Sequence, residues 1–224
     1  MKRFAIIVAG GKGLRMGTDI PKQFLDLAGK PVLVRTLEAF HQFDDAIRII
    51  LVLPEAHFAL WDQLKNEFAP DMPVKVVAGG ETRFHSVSNG LKAIEEEGLV
   101  AVHDAVRPLV DQEIMANAYL QAEAYGAAIA VVNLKESIRE ISGKQSSAVP
   151  RDNYRLVQTP QVFKTELIKS AYAQKYKDEF TDDASVVENL GHHVYLVQGS
   201  YLNIKITTPE DLRLAASYFQ DTSI

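Results

Sequence analysis

Several residue types and patterns are missing from this 224-residue chain, and each absence narrows what the protein can be. There is no cysteine, which excludes disulfide bonds, thiol nucleophiles and cysteine-ligated metals. No apolar run approaches the ~20 residues that a membrane-spanning helix needs. Lys2-Arg3 and the short apolar run after them lead into glycines instead of a cleavage site. We therefore expect no signal peptide and a cytoplasmic protein.

The bulk composition is that of an ordinary globular protein. Hydrophobic residues make up 47% of the chain and charged residues 24%. The net charge of -5 argues against a general binder of nucleic acid. A site for a phosphorylated ligand must therefore come from a local cluster of cations. The length fits a single domain, residues 1–224.

Strand-like apolar runs alternate with helical patterns along most of the chain. Strands are predicted at Phe4–Ala9, Ile47–Leu53, Val74–Ala78, Leu99–His103, Ala127–Val132, Val194–Val197 and Asn203–Ile206. Helices are predicted at Pro31–His41, Glu55–Phe68, Thr82–Glu97, Gln112–Tyr125, Lys164–Lys175, Asp182–Leu190 and Thr208–Phe219. This order predicts an α/β fold of Rossmann-like type, a mostly parallel twisted sheet flanked by helices. Ligands of such sheets bind beyond the carboxyl ends of the strands.

The alternating pattern stops between residues 133 and 158. Ser142–Ser147 is a turn signal between two segments without a helical face, which predicts a protruding β-hairpin arm. A two-stranded arm alone is marginally stable in water. We therefore expect it to pack on a second subunit as a dimerisation arm, with a flexible surface loop as the alternative.

The first predicted strand leads into a segment rich in glycine and positive charge. The glycines are Gly10, Gly11, Gly13 and Gly17, and the cations in and after the segment are Lys12, Arg15 and Lys22. Glycines allow backbone N–H groups to surround an anion, so the segment predicts a polyphosphate site. The dinucleotide fingerprint and the P-loop motif do not fit its spacing. A plain glycine-rich turn is the alternative.

A carboxylate follows another predicted strand directly. Asp104 comes after Leu99–His103, where a buried charge needs a partner. Mg²⁺ is usually held by one or two carboxylates together with substrate phosphates, so Asp104 is a candidate metal ligand. An ion pair with Arg107 or a helix cap is the alternative. At a third strand end, Gly79–Val87 predicts either a binding loop for a nucleotide base or an ordinary helix start.

These segments resemble a known family. The loop around Gly11–Met16 matches the A-G-x-G-x-R-M pattern of nucleotidyltransferases, and Pro21-Lys22-Gln23 narrows the resemblance to cytidylyltransferases that act on polyol phosphates. The 2-C-methyl-D-erythritol 4-phosphate branch, which serves isoprenoid precursor synthesis, fits well. Further matches are H-D-x-x-R-P from His103, T-P-Q from Thr159, T-D-x-A-S from Thr181 and N-I-K-x-T-x-P-x-D-L from Asn203. The resemblance covers nearly the whole chain.

The resemblance implies a role for each matching residue. The catalytic cations would be Arg15, Lys22 and Lys205. CTP would be bound by Ala9, Gly10, Gly11, Gly13, Gly80, Glu81, Ser86 and Ala105. The polyol phosphate would be bound by Arg107, Ser137, Arg151, Thr159 and Thr181, and Asp104 would hold Mg²⁺. Asp182 would hold a second metal, orient Lys205 or cap a helix. Glu81 and Ser137 depart from the family's common Asp and Thr.

The expected activity is transfer of CMP from CTP to 2-C-methyl-D-erythritol 4-phosphate by a homodimer with the arm at its interface. Ribitol 5-phosphate or another pentitol phosphate is the alternative acceptor, because the nucleotide half of the motif set is shared. Two other classes are less favoured: the glycine spacing with Lys12 and Arg15 counts against an NAD-dependent oxidoreductase, and the joint presence of Arg15, Lys22, Asp104 and Lys205 counts against a non-catalytic nucleotide-binding protein.

Overall fold

The structure is a computed structural model that describes residues 1–10 and 20–220. Within these residues, seven strands form one sheet: β1 (Arg3–Val8), β4 (Arg48–Leu53), β5 (Val74–Ala78), β6 (Leu99–Asp104), β7 (Ala127–Asn133), β10 (Arg155–Lys164) and β11 (Tyr195–Gln198). Their order is β11-β7-β10-β6-β1-β4-β5, and β10 alone runs antiparallel to its neighbours in this sheet. The short pair β2 (Asp26–Leu27) and β3 (Lys30–Pro31) lies apart. The predicted mostly parallel sheet is confirmed.

Helices cover both faces of this sheet. They are α1 (Val32–Phe43), α2 (Phe58–Phe68), α3 (Arg83–Lys92), α4 (Gln112–Tyr125), α5 (Thr165–Tyr172), α6 (Asp183–Glu188) and α7 (Pro209–Gln220). Helices α1, α2 and α4 pack in one hydrophobic cluster, and α3, α5 and α6 pack in another. Strand β1 sends Ala5 and Ile7 into the first cluster and Phe4 and Ile6 into the second. Burial on both faces explains why its sequence is continuously apolar.

The predicted arm is a hairpin made of β8 (Ile138–Ser142) and β9 (Gln145–Val149). Gly143 lies at its turn with a φ of 59°, a conformation that favours glycine. The predicted boundary at residue 158 is wrong, because Arg155–Val157 already pairs with Val131–Asn133 in the central sheet. Most hairpin residues are exposed, including Ile141 at 69%.

Two predicted elements differ most from the structure. Helix α3 ends at Lys92 and not at Glu97. Lysines from neighbouring elements satisfy carbonyls beyond this end, since Lys75 donates to the carbonyl of Ala93 and Lys169 to that of Ile94. Residues 203–206 are not a strand, although Ile206 N–H donates to the carbonyl of Val106.

No helix in the described residues is long and apolar enough to cross a bilayer.

Helix α7 begins with reciprocal caps around Asp211. The Asp211 carboxylate accepts from the backbone N–H groups of Thr207 and Thr208 and from the Thr207 hydroxyl, at 2.8–2.9 Å. The Thr208 hydroxyl accepts from the Asp211 N–H at 3.3 Å, so Thr208 caps the helix. The caps fix the point where the chain leaves residues 203–206 and enters α7.

We predict that Asp211→Ala lowers the free energy of unfolding by about 1 kcal/mol, because three donors at the start of α7 lose their acceptor. Chemical denaturation measures this change. The matched variant Glu210→Ala removes a neighbouring carboxylate whose ion pair with Arg213 is exposed, so its effect should stay within about 0.5 kcal/mol. Equal effects of the two variants would contradict the capping role.

Candidate active site

Two adjoining cavities open at the carboxyl ends of β1 and β6. The first, of about 290 Å³, is lined by residues that include Ala9, Gly10, Lys22, Gly80, Glu81 and Ser86. The second, of about 300 Å³, is lined by residues that include Arg107, Gln158, Thr159, Gln161, Thr181 and Asp182. Arg83, Asp104 and Lys205 line both cavities. A ligand in one cavity therefore faces a ligand in the other across these three side chains.

Asp104 is surrounded by positive charge. Its Oδ2 lies 3.0 Å from Lys205 Nζ and 3.2 Å from Arg107 Nε, while Oδ1 lies 4.0 Å from Arg83 Nε. Burial alone would raise the pKa of Asp104, but the charges of Lys205, Arg83 and Arg107 hold that pKa well below its usual range. The carboxylate is therefore ionised at neutral pH. The predicted ion pair with Arg107 is present, it engages Oδ2, and the metal role of Asp104 stays a prediction.

The sheet fixes the position of Asp104. Strand β6 lies between β1 and β10, and Asp104 is opposite Val8 in the register with β1. Its backbone N–H donates to the Thr159 hydroxyl at 3.1 Å. Thr159 therefore contributes to the second cavity and also positions the backbone of the central carboxylate.

Arg107 and Lys205 are brought to Asp104 by side-chain hydrogen bonds. The Arg107 guanidinium donates to the carbonyl of Asn203 at 2.8 Å. The Asn203 side chain is fully buried and donates to the carbonyl of Thr159 at 2.8 Å. These bonds hold residues 203–206 beside β6 without a strand ladder, and so place Lys205. These side-chain bonds take the place of the ladder hydrogen bonds of a strand, so the predicted strand at Asn203–Ile206 is wrong.

The loop at residues 79–82 forms one wall of the first cavity. The Ser86 hydroxyl accepts from the Gly80 N–H and donates to the carbonyl of Thr82, both at 3.0 Å. A Cβ at Gly80 would overlap the Cβ of His85, so a close approach requires glycine there. Thr82 caps α3 by accepting from the His85 N–H. The predicted helix start is thus confirmed, and Ser86 acts on the shape of the loop.

The predicted site residues do not all meet in one place. Gly11, Gly13 and Arg15 lie outside the described residues. Ser137 and Arg151 are exposed near the arm and line neither cavity of the chain. Ala105 is fully buried beside Asp104, and its carbonyl accepts from Thr36.

Of the three roles predicted for Asp182, the structure shows that of a helix cap. Its carboxylate accepts from the Ser185 N–H, and its own N–H donates to the Ser185 hydroxyl, in a capping box at the start of α6. The other carboxylate oxygen accepts from Gln161 at 2.9 Å. The helix-cap alternative is therefore confirmed.

Sequence reasoning missed Arg83 and Gln23. Arg83 lines both cavities and bonds to the buried Asp183, 100 residues away in the chain. Gln23 is buried and donates to the carbonyl of Ala9 at 2.9 Å, which fixes the end of the first strand. Gln23 belongs to the Pro21-Lys22-Gln23 segment that carries part of the family resemblance. Arg83 followed the glycine pair Gly79-Gly80, but no sequence signal identified its distant partner.

A mostly parallel α/β sheet with cations around one carboxylate, where two cavities meet, fits a nucleotidyltransferase that brings two phosphorylated substrates together. The comparison with family models gives the particular family. Residues 4–221 match the model of IspD, 2-C-methyl-D-erythritol 4-phosphate cytidylyltransferase, and the chain belongs to this family.

Relatives with this family name match nearly end to end. The protein from Phocaeicola vulgatus is 55% identical over 215 residues, covering 96% of this chain and 98% of its own length. The one from Bacteroides fragilis is 53% identical over 217 residues, covering 97% and 99%. The crystal structure of the Thermus thermophilus cytidylyltransferase has a TM-score of 0.80 at 33% identity and covers 98% of this chain and 100% of that one. The Anaerococcus prevotii structure, of 4-diphosphocytidyl-2C-methyl-D-erythritol synthase, has a TM-score of 0.83 at 31% identity and covers 98% of both chains.

His103 supports the turn that carries Arg107. It is fully buried, and its Nε2 lies 3.1 Å from the carbonyl of Arg107, which requires the proton to be on Nε2. Burial lowers the pKa of His103 to about 4, against about 6.5 for an unfolded histidine. The folded state therefore binds fewer protons at this ring, and stability from its neutral form is lost as the pH falls from about 6.5 towards 4.

We predict that His103→Gln, whose side-chain amide can also donate to the Arg107 carbonyl, makes the free energy of unfolding less dependent on pH between 4.5 and 6.5. Urea denaturation across this range measures the slope. His193→Gln, at an exposed histidine, should keep the wild-type slope. The same slope for His103→Gln and wild type would contradict the burial argument.

Proposed function

We propose that this protein transfers CMP from CTP to 2-C-methyl-D-erythritol 4-phosphate, giving 4-diphosphocytidyl-2-C-methyl-D-erythritol and pyrophosphate for isoprenoid precursor synthesis. The observation that carries the proposal is the pair of cavities that share Arg83, Asp104 and Lys205. Two phosphorylated substrates bound side by side would have their phosphates at this cluster. Membership of the family supports the choice of substrates.

The chemistry needs positioned charge more than a general base. The attacking group is a phosphate monoester, whose second pKa of about 6 leaves it mostly ionised at neutral pH. Its oxygen attacks the α-phosphorus of CTP, and the bond from that phosphorus to the pyrophosphate oxygen breaks. Two unit charges about 4 Å apart repel by roughly 4 kcal/mol at an effective dielectric constant near 20. Lys205 and Arg107 offset this repulsion, together with Lys22 in the first cavity.

The first cavity is the proposed CTP site. Ala9, Gly10 and Gly80 offer backbone groups close to the ligand because their side chains are small or absent. Ser86 lines this cavity and its hydroxyl accepts from the Gly80 N–H, so it positions the loop, and its contact with CTP stays a prediction. Gly11, Gly13 and Arg15 follow Gly10 in the chain and remain predicted contacts to the triphosphate.

Asp104 is suited to bind Mg²⁺ as a single protein ligand. Among the described residues, Oδ2 lies within 3.2 Å of Lys205 and Arg107, whereas Oδ1 has Arg83 at the longer distance of 4.0 Å. Mg²⁺ prefers one or two carboxylates together with phosphates, and a single buried carboxylate where two phosphate sites meet can meet that preference. A bound Mg²⁺ would neutralise phosphate charge. Asp104 would hold it, and Lys205 would contact the reacting phosphates.

We predict that Asp104→Asn raises the Mg²⁺ concentration for half-maximal activity by about tenfold or more, because an amide is a weaker ligand than a carboxylate. Pyrophosphate release, titrated with Mg²⁺ at saturating substrates, measures this. The control Asp111→Asn makes the same change at the cap of α4, outside both cavities, and should behave as wild type. An unchanged Mg²⁺ dependence would assign the metal to another ligand.

The second cavity is the proposed polyol-phosphate site, with Arg107, Thr159 and Thr181 in its lining. Ser137 and Arg151 flank the hairpin and are exposed in a single chain. We propose that they complete the polyol-phosphate site of a second subunit in a homodimer. The exposed hairpin, with too little core of its own for independent stability, supports this role. A cytoplasmic location stays a prediction.

We predict that Arg151→Ala and Lys205→Ala are each nearly inactive but restore activity when the two variants are co-expressed. In a mixed dimer one site has Lys205 from one subunit and Arg151 from the other, so random pairing gives about one quarter of wild-type activity per chain. Arg139→Ala, at another exposed hairpin arginine, should be active by itself. Co-expression without any gain would show that Arg151 does not serve the partner's site.

The experiment that tests the proposed function compares acceptors. Purified protein with CTP and Mg²⁺ is given 2-C-methyl-D-erythritol 4-phosphate or ribitol 5-phosphate, and pyrophosphate is measured. We expect release with the first acceptor alone. Release with ribitol 5-phosphate alone would move the enzyme to the pentitol branch. No release with either, alongside nucleotide binding, would leave a non-catalytic nucleotide-binding protein.

A further inference from the structure

The Arg83–Asp183 ion pair joins the walls of the two cavities. The guanidinium donates through both terminal nitrogens to the two carboxylate oxygens, at 3.0 Å and 2.7 Å. This two-pronged geometry fixes orientation as well as distance, which a lysine cannot reproduce. The pair connects the start of α3 to the start of α6.

The Asp183 side chain is held firmly in place. It is fully buried, and its Oδ1 also accepts from the Tyr172 hydroxyl at 2.6 Å. Burial and the neighbouring Asp183 charge raise the pKa of Tyr172, so this hydroxyl stays protonated and keeps donating. A buried carboxylate with three donors has little freedom to move, because a shift would cost it hydrogen bonds that water cannot replace.

The segment that precedes each end of the pair lines a different cavity. Arg83 directly follows Gly80, Glu81 and Thr82, which line the first cavity. Asp183 directly follows Thr181 and Asp182, which line the second. A shift of either loop therefore has to move or break this pair. Arg83 also lies against Asp104, at the place where the cavities meet.

We propose that Arg83 is a positioning residue that couples the two substrate sites, so that a ligand ordering one loop favours the arrangement of the other. This inference rests on the proposed function for the identity of the ligands. Coupling of this kind is a ratio of affinities and is the same whichever ligand is added first. The role depends on the two-pronged bond and not on positive charge alone, so Arg83→Lys should lose it.

The test measures binding of an α,β-methylene analogue of CTP, which cannot be cleaved at the reacting position, by titration calorimetry. The Kd is measured with Mg²⁺, with and without saturating 2-C-methyl-D-erythritol 4-phosphate. In wild type we expect the acceptor to lower the Kd by about fivefold or more. In Arg83→Lys and Asp183→Asn the ratio should fall to within about twofold of one, and KM for both substrates should rise by a larger factor than kcat falls.

Arg213→Lys is the matched control, because it makes the same change in an exposed ion pair outside the cavities. It should keep the wild-type ratio. If Asp183→Asn does not fold, Arg83→Lys alone decides, since it keeps the charge beside Asp183. Wild-type coupling in Arg83→Lys, or no coupling in wild type, would overturn the inference. A failure of the proposed function would look different: the wild-type protein would release no pyrophosphate from CTP and the acceptor.

Discussion

The site depends on one buried carboxylate, Asp104, and on the cations that compensate it. An isolated charge at that position would be costly. Lys205, Arg107 and Arg83 approach it from three separate segments of the chain, at 3.0, 3.2 and 4.0 Å. Compensation of a single buried charge therefore fixes where the segment before α7, the turn after β6 and the start of α3 lie.

The sheet supplies the rigid frame for this arrangement. Strands β1 and β6 run parallel, so the chain leaves Val8 and Asp104 at the same edge. The antiparallel strand β10 adds Thr159, whose hydroxyl accepts from the Asp104 N–H. Asn203 and Gln158 then attach the Lys205 segment through side-chain hydrogen bonds. The loops around the cavities are thus positioned by polar side chains, while the apolar clusters hold the strands and helices beneath them.

Much of this could be predicted from the sequence, and the failures have physical causes. The continuous apolar runs of β1 and β4 and the helical spacing of α4 depend on local burial, so their bounds were nearly right. The start of α7 was marked by local capping residues around Thr208. Residues 203–206 alternate like a strand, yet Asn203 makes its bonds through its side chain. Arg83 was missed because its partner Asp183 is distant in the sequence.

The predicted site residues also divide into those that local motifs identified and those that depend on distant contacts. Residues inside contiguous motifs, such as Asp104, Arg107 and Lys205, were predicted and do lie together. Ser86 was predicted to bind CTP, and the structure adds that its hydroxyl makes two hydrogen bonds within the loop. Ser137 and Arg151 cannot be judged from one chain, because their proposed target belongs to another subunit. Sequence motifs therefore identified the chemistry, while the supporting contacts required the structure.

A crystal structure with the α,β-methylene analogue of CTP and Mn²⁺, whose anomalous signal locates the metal in place of Mg²⁺, tests the role of Asp104 most directly. We predict the nucleotide in the first cavity, the metal on Asp104 and the α-phosphate beside Lys205. A nucleotide bound elsewhere, or a metal that does not touch Asp104, would contradict the claim that this carboxylate organises the site.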